Sequence, residues 1–542
     1  PKVKLRHLDT NIFEEASYDY VVGADGAHSL VRQLCGIDMA GTRNLQSIAN
    51  VHFTSKILSE AARENPAMLY FVCLSLIYEQ FNKEVVGILI AHDLNKGEWV
   101  FQIPFFPPQE SIPWDFSVAQ CKEIVRHILP KGVGVSDDDI NILSAGQWRM
   151  GARVAKQYDA AEQCVFLVGD AAHQFPPAGG FGMNTGLQDA HNLVWKLALA
   201  VQANAEESTA GCGGIDTQAL LASYGRERQL IAKTNTQFSL SNVARTMKIP
   251  RALNVSHDNA LMLAKIINST PMQLLPLSAQ REIAQRAMRV GKLPLGLLDE
   301  AKDAGGAGSA LGKRMRASVQ DIVTCRKTLG MMFYHFDIGF SYDARSWGAR
   351  AKTLMEDSAL DLSVEFRTEV GEGDNIIYSP AFCVGERFPH FWCSTDNTKV
   401  STHDMVRLAV QKAENIGTVQ FVLVVGERDA SNVIRSCSSS ASPALSKHVS
   451  LVVLRSSTDG DAAQINAAIA DARESSMFGS VLSWDVVEGE DDNKAWASFM
   501  DSKAAALVRP DGHVGALWST DDLKDFSAAV LIQSMQKAVQ LS

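Results

Sequence analysis

Two stretches of the chain set chemically useful residue types at a telling spacing. In residues 165–190 an apolar run, Val165-Phe166-Leu167-Val168, closes on Gly169-Asp170 and continues as Ala171-Ala172-His173. A Pro176-Pro177 turn follows, then Gly179, Gly180 and Gly182, and a helical pattern from about Gly182 through Met183 and Asn184. An acidic residue just past the end of a buried strand is placed to accept a hydrogen bond from a ribose hydroxyl. Glycines leave bare backbone beside a ligand, and the first turn of a helix turns free N–H groups and a positive dipole end toward it. This combination favours a bulky, partly anionic cofactor. In residues 21–32 a strand runs into Gly23, Asp25 and Gly26, and a helical pattern opens at about Ser29. Arg32, one turn in, has the reach and the forked donors to hold a phosphate or a carboxylate. The plainer reading of this stretch is a strand-to-helix turn with Asp25 as N-cap.

The elements that must carry these residues follow from periodicity. Residues 18–24 and 164–168 are short apolar runs of buried-strand type. Between them, residues 67–77, 85–91 and 99–106 are β-rich runs separated by polar turns, which predicts an antiparallel sheet. Leu187, Ala190, Val194, Leu197, Ala198 and Val201 recur at helical spacing, and helical patterns continue over 218–243 and 271–290. Residues 303–310 and 436–443 read as linkers. Beyond about residue 380 the pattern becomes a small α/β unit. It has strands at 419–425 and 449–454, a hairpin around Arg509-Pro510-Asp511-Gly512, and a closing helix over 521–540.

Composition narrows the class. With 542 residues, 46% hydrophobic and 21% charged, the chain is that of a globular protein of several domains. A net charge of -10 argues against nucleic acid as a partner. The most apolar long stretch, residues 67–91, is interrupted by Glu79, Gln80, Asn82, Lys83 and Glu84, so no membrane span is expected. Nine cysteines without a C-x-x-C pair suit a reducing compartment, cytoplasmic or organellar.

Both stretches resemble the FAD-binding motifs of the flavoprotein aromatic hydroxylases, the phenol hydroxylase-like branch of the FAD-dependent monooxygenases. The similarity runs from Gly169-Asp170-Ala171-Ala172-His173 through Asn192-Leu193-Val194-Trp195-Lys196-Leu197. It extends to Arg153-Val154-Ala155 and to Leu221-Ala222-Ser223-Tyr224-Gly225-Arg226-Glu227-Arg228. Gly385-Glu386-Arg387-Phe388-Pro389-His390 and the stretch from Leu507 to Val514 resemble the start and end of the family's C-terminal thioredoxin-like domain. The resemblance implies an α/β fold: a Rossmann-like FAD-binding domain, an inserted antiparallel substrate-binding sheet, a helical segment and the thioredoxin-like domain. The implied boundaries are 1–45 and 151–380 for the FAD-binding and helical parts, 46–150 for the sheet, and 381–542 for the last domain. It implies FAD as cofactor and NAD(P)H as co-substrate. The flavin hydroperoxide formed with O₂ would hydroxylate a small phenolic substrate, and a homodimer is compatible with this. By the same resemblance, Asp170 binds the ribityl or ribose part of FAD, and Gly182, Met183 and Asn184 lie against the flavin ring. Asp25, Gly26 and Arg32 serve FAD and the nicotinamide cofactor. Gly169, Pro177, Gly179 and Gly180 complete the expected cofactor contacts.

The family opens with a G-x-G-x-x-G unit that cradles the FAD pyrophosphate, and nothing before Tyr18 matches it. The expectation is a homologue lacking its first segment, with weak FAD binding by these residues alone. The rival reading is a non-catalytic homologue or fragment that binds partners through its thioredoxin-like domain. Asp170, His173, Asp189 and His191 could be drawn as a metal site, but they flank a Pro- and Gly-rich turn. No metal is expected, and His173 reads as a hydrogen-bonder within the turn. Phe71, Tyr78, Phe101, Phe105 and Phe106 read first as core. Tyr78 is the candidate substrate contact through its hydroxyl, and the catalytic base is not identified. The C-terminal unit, having no thiol pair, is expected to be dispensable for flavin chemistry.

Overall fold

The computed structural model describes residues 1–74, 85–105, 116–129, 137–205, 214–246, 269–276, 310–324, 334–347, 382–395, 398–413, 418–438, 442–455, 462–487 and 503–539, and isolated positions between them. Two compact units emerge. The first comprises residues 1–40, 154–238 and 332–542, and the second residues 41–153 and 239–331.

The first unit begins with an antiparallel hairpin, β1 (Lys2–Arg6) and β2 (Phe13–Ser17). Strand β3 (Val21–Gly23) then runs parallel to β10 (Val165–Leu167), with Val21 opposite Val165 and Gly23 opposite Leu167. The other edge of β10 pairs antiparallel with β9 (Asp159–Ala160). All three residues of β10 are buried, which explains an apolar run without alternation. Two long helices, α4 (Phe181–Ala205) and α5 (Thr217–Thr246), follow this small sheet. Leu193 and Ala200 of α4 and Leu221, Tyr224 and Ala232 of α5 join Phe166 and Leu167 in one core. The Tyr224 hydroxyl donates to the Leu167 carbonyl at 2.6 Å, tying α5 to the end of β10.

The C-terminal part of this unit is a seven-stranded sheet. Its strands are β12 (Trp392–Thr395), β13 (Thr398–Ser401), β14 (Phe421–Gly426), β15 (Val449–Arg455), β16 (Ser480–Val486), β17 (Ala505–Val508) and β18 (Val514–Trp518). The order is β13-β12-β16-β15-β14-β17-β18. Strands β14, β15 and β16 are mutually parallel, whereas β17 runs antiparallel to β14 and to β18. Every residue of β14 is buried because both faces are covered. Leu423 and Val425 pack on one side with Ile434 of α7 (Glu427–Ser438), Ile469 of α9 (Ala462–Glu474) and Leu531 of α10 (Ala528–Ala538). Trp195, Leu199 and Leu220 share that core, so α4 and α5 pack against the same sheet face. Val422 and Val424 point the other way, toward Trp484, Phe388 and Met405 of α6 (Met405–Lys412).

Of residues 436–443, which read as a linker, the described ones belong to helices or cap one, and 439–441 lie outside the described residues. Residues 436–438 finish α7, and Ser442 caps α8 (Pro443–His448), its hydroxyl accepting the Ala444 N–H. Serine and proline mark a helix start here, the other context that favours them. Of the other expected linker, residues 303–309 lie outside the described residues.

The second unit contains the expected antiparallel sheet. Strands β8 (Asn141–Ala155), β4 (Met39–Thr54), β7 (Glu98–Phe105), β6 (Val85–Asp93) and β5 (Leu69–Leu74) lie side by side in that order. Strict alternation sends Val51, Phe53, Trp99 and Phe101 into a core with Cys121, Ile124 and Val125 of α3 (Val118–Ile128). A capping box between Ser117 and Gln120 starts that helix. Phe101 is therefore core, as its place on a strand suggested. Tyr78 and Phe106 lie outside the described residues. Part of the helical pattern at 271–290 is present as the short helix Thr270–Gln273.

Candidate functional site

The two chemically marked stretches meet in the first unit. Parallel pairing of β3 with β10 brings their C-terminal ends together, and the Val168 N–H donates to the Gly23 carbonyl at 3.1 Å. Gly23 is required for close packing: a Cβ there would lie 2.9 Å from Val31 and 3.0 Å from Leu167. Arg32 bridges the stretches. Its Nη1 donates to the Ala171 carbonyl at 2.8 Å and its Nη2 to the Ala27 carbonyl at 3.2 Å. Gln174 also donates to Ala27, at 2.9 Å. Arg32 is thus engaged in joining the two turns.

The N-cap of the short helix α1 (Leu30–Leu34) is Ser29 rather than Asp25, its hydroxyl accepting the Arg32 N–H at 2.9 Å, and Asp25 adds to it from outside the helix, its carboxylate accepting the N–H groups of Leu30 at 2.7 Å and Val31 at 3.0 Å. Partial burial works against ionisation, but hydrogen bonds from Ser29, Val31 and Leu30 outweigh it and hold this carboxyl below its usual range. Gly26 has φ +77° and open space where a Cβ would stand.

The Gly169–Ala171 turn is a single 3₁₀ turn, with Gly169 at φ +60°. It lies against α4 at a glycine on each side: a Cβ on Gly186 would come within 3.1 Å of the Gly169 Cα. Asp170 is exposed and makes no hydrogen bond among the described residues. Pro177 accepts the Gly180 N–H at 3.2 Å, and Gly179 and Gly180 have φ of +117° and +71°. No atom lies within 4 Å of the Cβ position at Gly180 or at Gly182. Asn184 donates to the Gly180 carbonyl at 3.2 Å across the start of α4, and Met183 beside it is 76% exposed.

A buried ionic group that the sequence reading did not anticipate holds this turn. Asp189 accepts the Gly169 N–H at 3.1 Å and His173 Nε2 at 2.6 Å with one oxygen, and Arg228 Nε at 2.8 Å with the other. Burial raises the Asp189 carboxyl, but its interactions and hydrogen bonds with His173 and Arg228 outweigh this and its pKa is lowered. His173 stacks on Phe175, with centroids 4.6 Å apart, and is the hydrogen-bonder within the turn that the sequence suggested.

One residue before Arg228 on α5, a second buried group begins. Glu227 accepts both Nη atoms of Arg509, at 2.8 and 2.9 Å, Lys196 Nζ at 2.8 Å and Asn192 Nδ2 at 2.7 Å. Arg509 also donates to Asp511, its Nη2 at 2.6 Å from Oδ2, and Trp195 Nε1 reaches that oxygen at 3.3 Å. Burial opposes ionisation of Glu227, yet Arg509 and Lys196 prevail and its pKa falls to about 2. Lys196 is lowered to about 8, burial outweighing the pull of Glu227. It remains a cation at neutral pH. The sequence signal was Asn192 and Lys196, four residues apart in an otherwise apolar stretch of α4.

Residues 2–239 match the FAD binding domain family. The match covers less than half of the chain. Among curated relatives, the tetracenomycin A2 monooxygenase-dioxygenase of Streptomyces glaucescens is 32% identical over 216 residues, 39% of this chain and 34% of that protein. The aklavinone 12-hydroxylase DnrF of Streptomyces peucetius is 29% identical over 244 residues, 45% of this chain and 44% of that protein. The matched region thus spans well under two thirds of these relatives. Among solved structures, the flavin-dependent monooxygenase PieE, with FAD and substrate, superposes with a TM-score of 0.62 at 21% identity. That match covers 100% of this chain and 73% of PieE. Aklavinone-11 hydroxylase, with FAD and aklavinone, gives 0.54 at 19% identity, covering 99% of this chain and 70% of its own. At these identities the likeness is one of fold.

The residues of the FAD binding domain fit the cofactor. Asp170 offers an unengaged carboxylate, and Gly169 and Gly186 let the turn that carries it close on α4. Gly180 and Gly182 leave open space at the start of a 25-residue helix.

Proposed function

We propose that this chain serves an FAD-dependent monooxygenase that hydroxylates a phenol-like aromatic ring, using NAD(P)H and O₂. The observation that carries this reading is the open glycine cradle between Asp170 and the start of α4, within a domain matched to FAD binding. The names of the two curated relatives, a tetracenomycin A2 monooxygenase-dioxygenase and an aklavinone 12-hydroxylase, support an aromatic compound as the substrate. Bound FAD supplies the redox chemistry, accepting electrons from NAD(P)H and delivering an oxygen atom from O₂.

This chain's residues hold and orient. Asp170 is positioned to accept a hydrogen bond from a ribityl or ribose hydroxyl. Gly179, Gly180 and Gly182 present backbone without side chains. The N–H groups at the start of α4, around Met183 and Asn184, favour negative charge on the ring beside them. Asp189 fixes the Gly169 turn, so that Asp170 stands in one place. Asp25 and Arg32 act in this reading as organisers of the turns, through the hydrogen bonds they make.

The C-terminal sheet supports a thioredoxin-like assignment. Strands β14 and β15 are parallel across α7, β17 and β18 form an antiparallel hairpin beside β14, and α10 closes the chain. A homodimer is compatible with this reading.

The test is a turnover assay of the FAD-loaded protein with NADH or NADPH, O₂ and a panel of phenolic fused-ring aromatics. Oxidation of the nicotinamide stimulated by one aromatic, with a product heavier by one oxygen atom, is the expected result. Flavin binding without oxygen transfer to any of them would sink the monooxygenase reading and favour a non-catalytic homologue.

A further inference from the structure

We infer that the second unit carries a divalent transition-metal site, best suited to Zn²⁺, formed by His52, His92 and Glu98. The three residues sit on adjacent strands β4, β6 and β7. On β7, Trp99, Phe101 and Ile103 enter the core, so Glu98 stands on the opposite face together with Val100 and Gln102. His52 lies opposite Val100 and hence on Glu98's face. His92 lies where the register between β6 and β7 shifts, between Ala91 and Asp93. Such irregularities re-aim a side chain.

His52 Nε2 is 2.8 Å from Glu98 Oε1, and the two imidazole centroids are 6.0 Å apart. One ligand atom from each of the three residues lies within 4.8 Å of the others. Zinc bonds of about 2.0–2.1 Å in a tetrahedron place ligand atoms about 3.4 Å apart. A modest side-chain rotation of His92, which is exposed, closes the difference.

Two further observations favour an ion over a plain hydrogen-bonded pair. His92 makes no hydrogen bond among the described residues, so its ring nitrogens are free to ligate. Asp93 next to it uses its carboxylate on the N–H groups of Asn95 and Lys96 at 2.9 and 3.1 Å, so it is engaged in the turn and does not compete for the ion. Two imidazoles and a carboxylate are a zinc-type donor set with a fourth position for water. Sequence spacing does not show this site, because its ligands come together only by strand pairing.

Full-length protein stripped with a chelator and titrated with Zn²⁺ against a chromophoric competitor tests the site. One equivalent should bind, and His92→Ala should weaken it by about 100-fold or more, since even outer partners of a ligand are worth 10- to 100-fold. Glu98→Gln should weaken it too, while the metal-free circular dichroism and melting of both variants match the parent. No zinc uptake, or equal uptake by the parent and His92→Ala, would overturn the assignment. Co²⁺ in place of Zn²⁺ should show d–d bands without thiolate charge transfer. A thiolate band would move the ion to cysteine and overturn it equally.

Discussion

Arg509 and Glu227, 282 residues apart, form a two-pronged ion pair in which both side chains are wholly buried. Arg509 belongs to the turn between β17 and β18, and Glu227 to α5 of the FAD binding domain. Because Arg228, the next residue, holds Asp189 and so the Gly169 turn, the C-terminal sheet anchors the helix that supports the turn proposed to bind flavin. This changes the expectation that the C-terminal part is dispensable.

Truncation before Pro380 should therefore leave a protein that does not hold its FAD binding domain together. It would strip Glu227 and Lys196 of Arg509 and uncover Trp195 and Leu199. Limited proteolysis and soluble yield measure this. A soluble, protease-resistant truncated protein that binds FAD as the parent does would show the anchoring to be unimportant.

Arg509→Met should cost about 3–5 kcal/mol of stability, because it leaves Glu227 and Asp511 as buried charges without their main partner. The double variant Arg509→Met, Glu227→Met should recover much of that loss. Urea unfolding of the two variants and the parent gives the comparison. Additive losses would mean that the pair is not coupled.

Stability should respond to pH through the same group. Glu227 drops from an ordinary 4.5 to about 2 on folding, so it contributes stability above pH 4.5 that is lost as pH falls toward 2. The size is on the order of 3 kcal/mol. Lys196 drops from 10.5 to about 8, so the cost of burying its charge is relieved and stability rises between pH 8 and 10.5. In Glu227→Gln the acid-side slope should shrink. Urea midpoints from pH 2 to 10 would reveal an unchanged slope if other carboxylates dominate.

Asp170→Ala should weaken FAD binding while leaving the fold intact, since the carboxylate is exposed and makes no hydrogen bond among the described residues. Loss of a charge-assisted hydrogen bond to a sugar hydroxyl costs about 1.5–3 kcal/mol, roughly ten- to a hundred-fold in Kd. Flavin fluorescence titration reads this directly, and an unchanged Kd would remove Asp170 from the site.

Gly186→Ala should disturb the site from behind. The added Cβ would press on the Gly169 Cα from 3.1 Å, backbone against which neither element yields easily. A destabilisation of about 1–3 kcal/mol, with weaker FAD binding, is expected. A melting temperature and Kd equal to the parent's would show that the turn tolerates the displacement.

What the sequence determined by itself was local. The apolar run into Gly169-Asp170, the glycines and prolines after it and the helical spacing from Leu187 onward each specify a backbone state within a few residues. The resulting strand, turn and helix stand where that pattern placed them. The antiparallel strands around Trp99 and the hairpin at Arg509–Gly512 were legible for the same reason. Which side chains meet one another was decided only in three dimensions. Asp25 meets the start of a helix, and Arg32 meets the Ala171 carbonyl, 139 residues away, contacts that no local pattern specifies. Asp189, Glu227 and Arg509 carry no local signature, because a buried charge is stabilised by partners brought together through packing. No spacing along the chain reports that Arg509 will lie against Glu227.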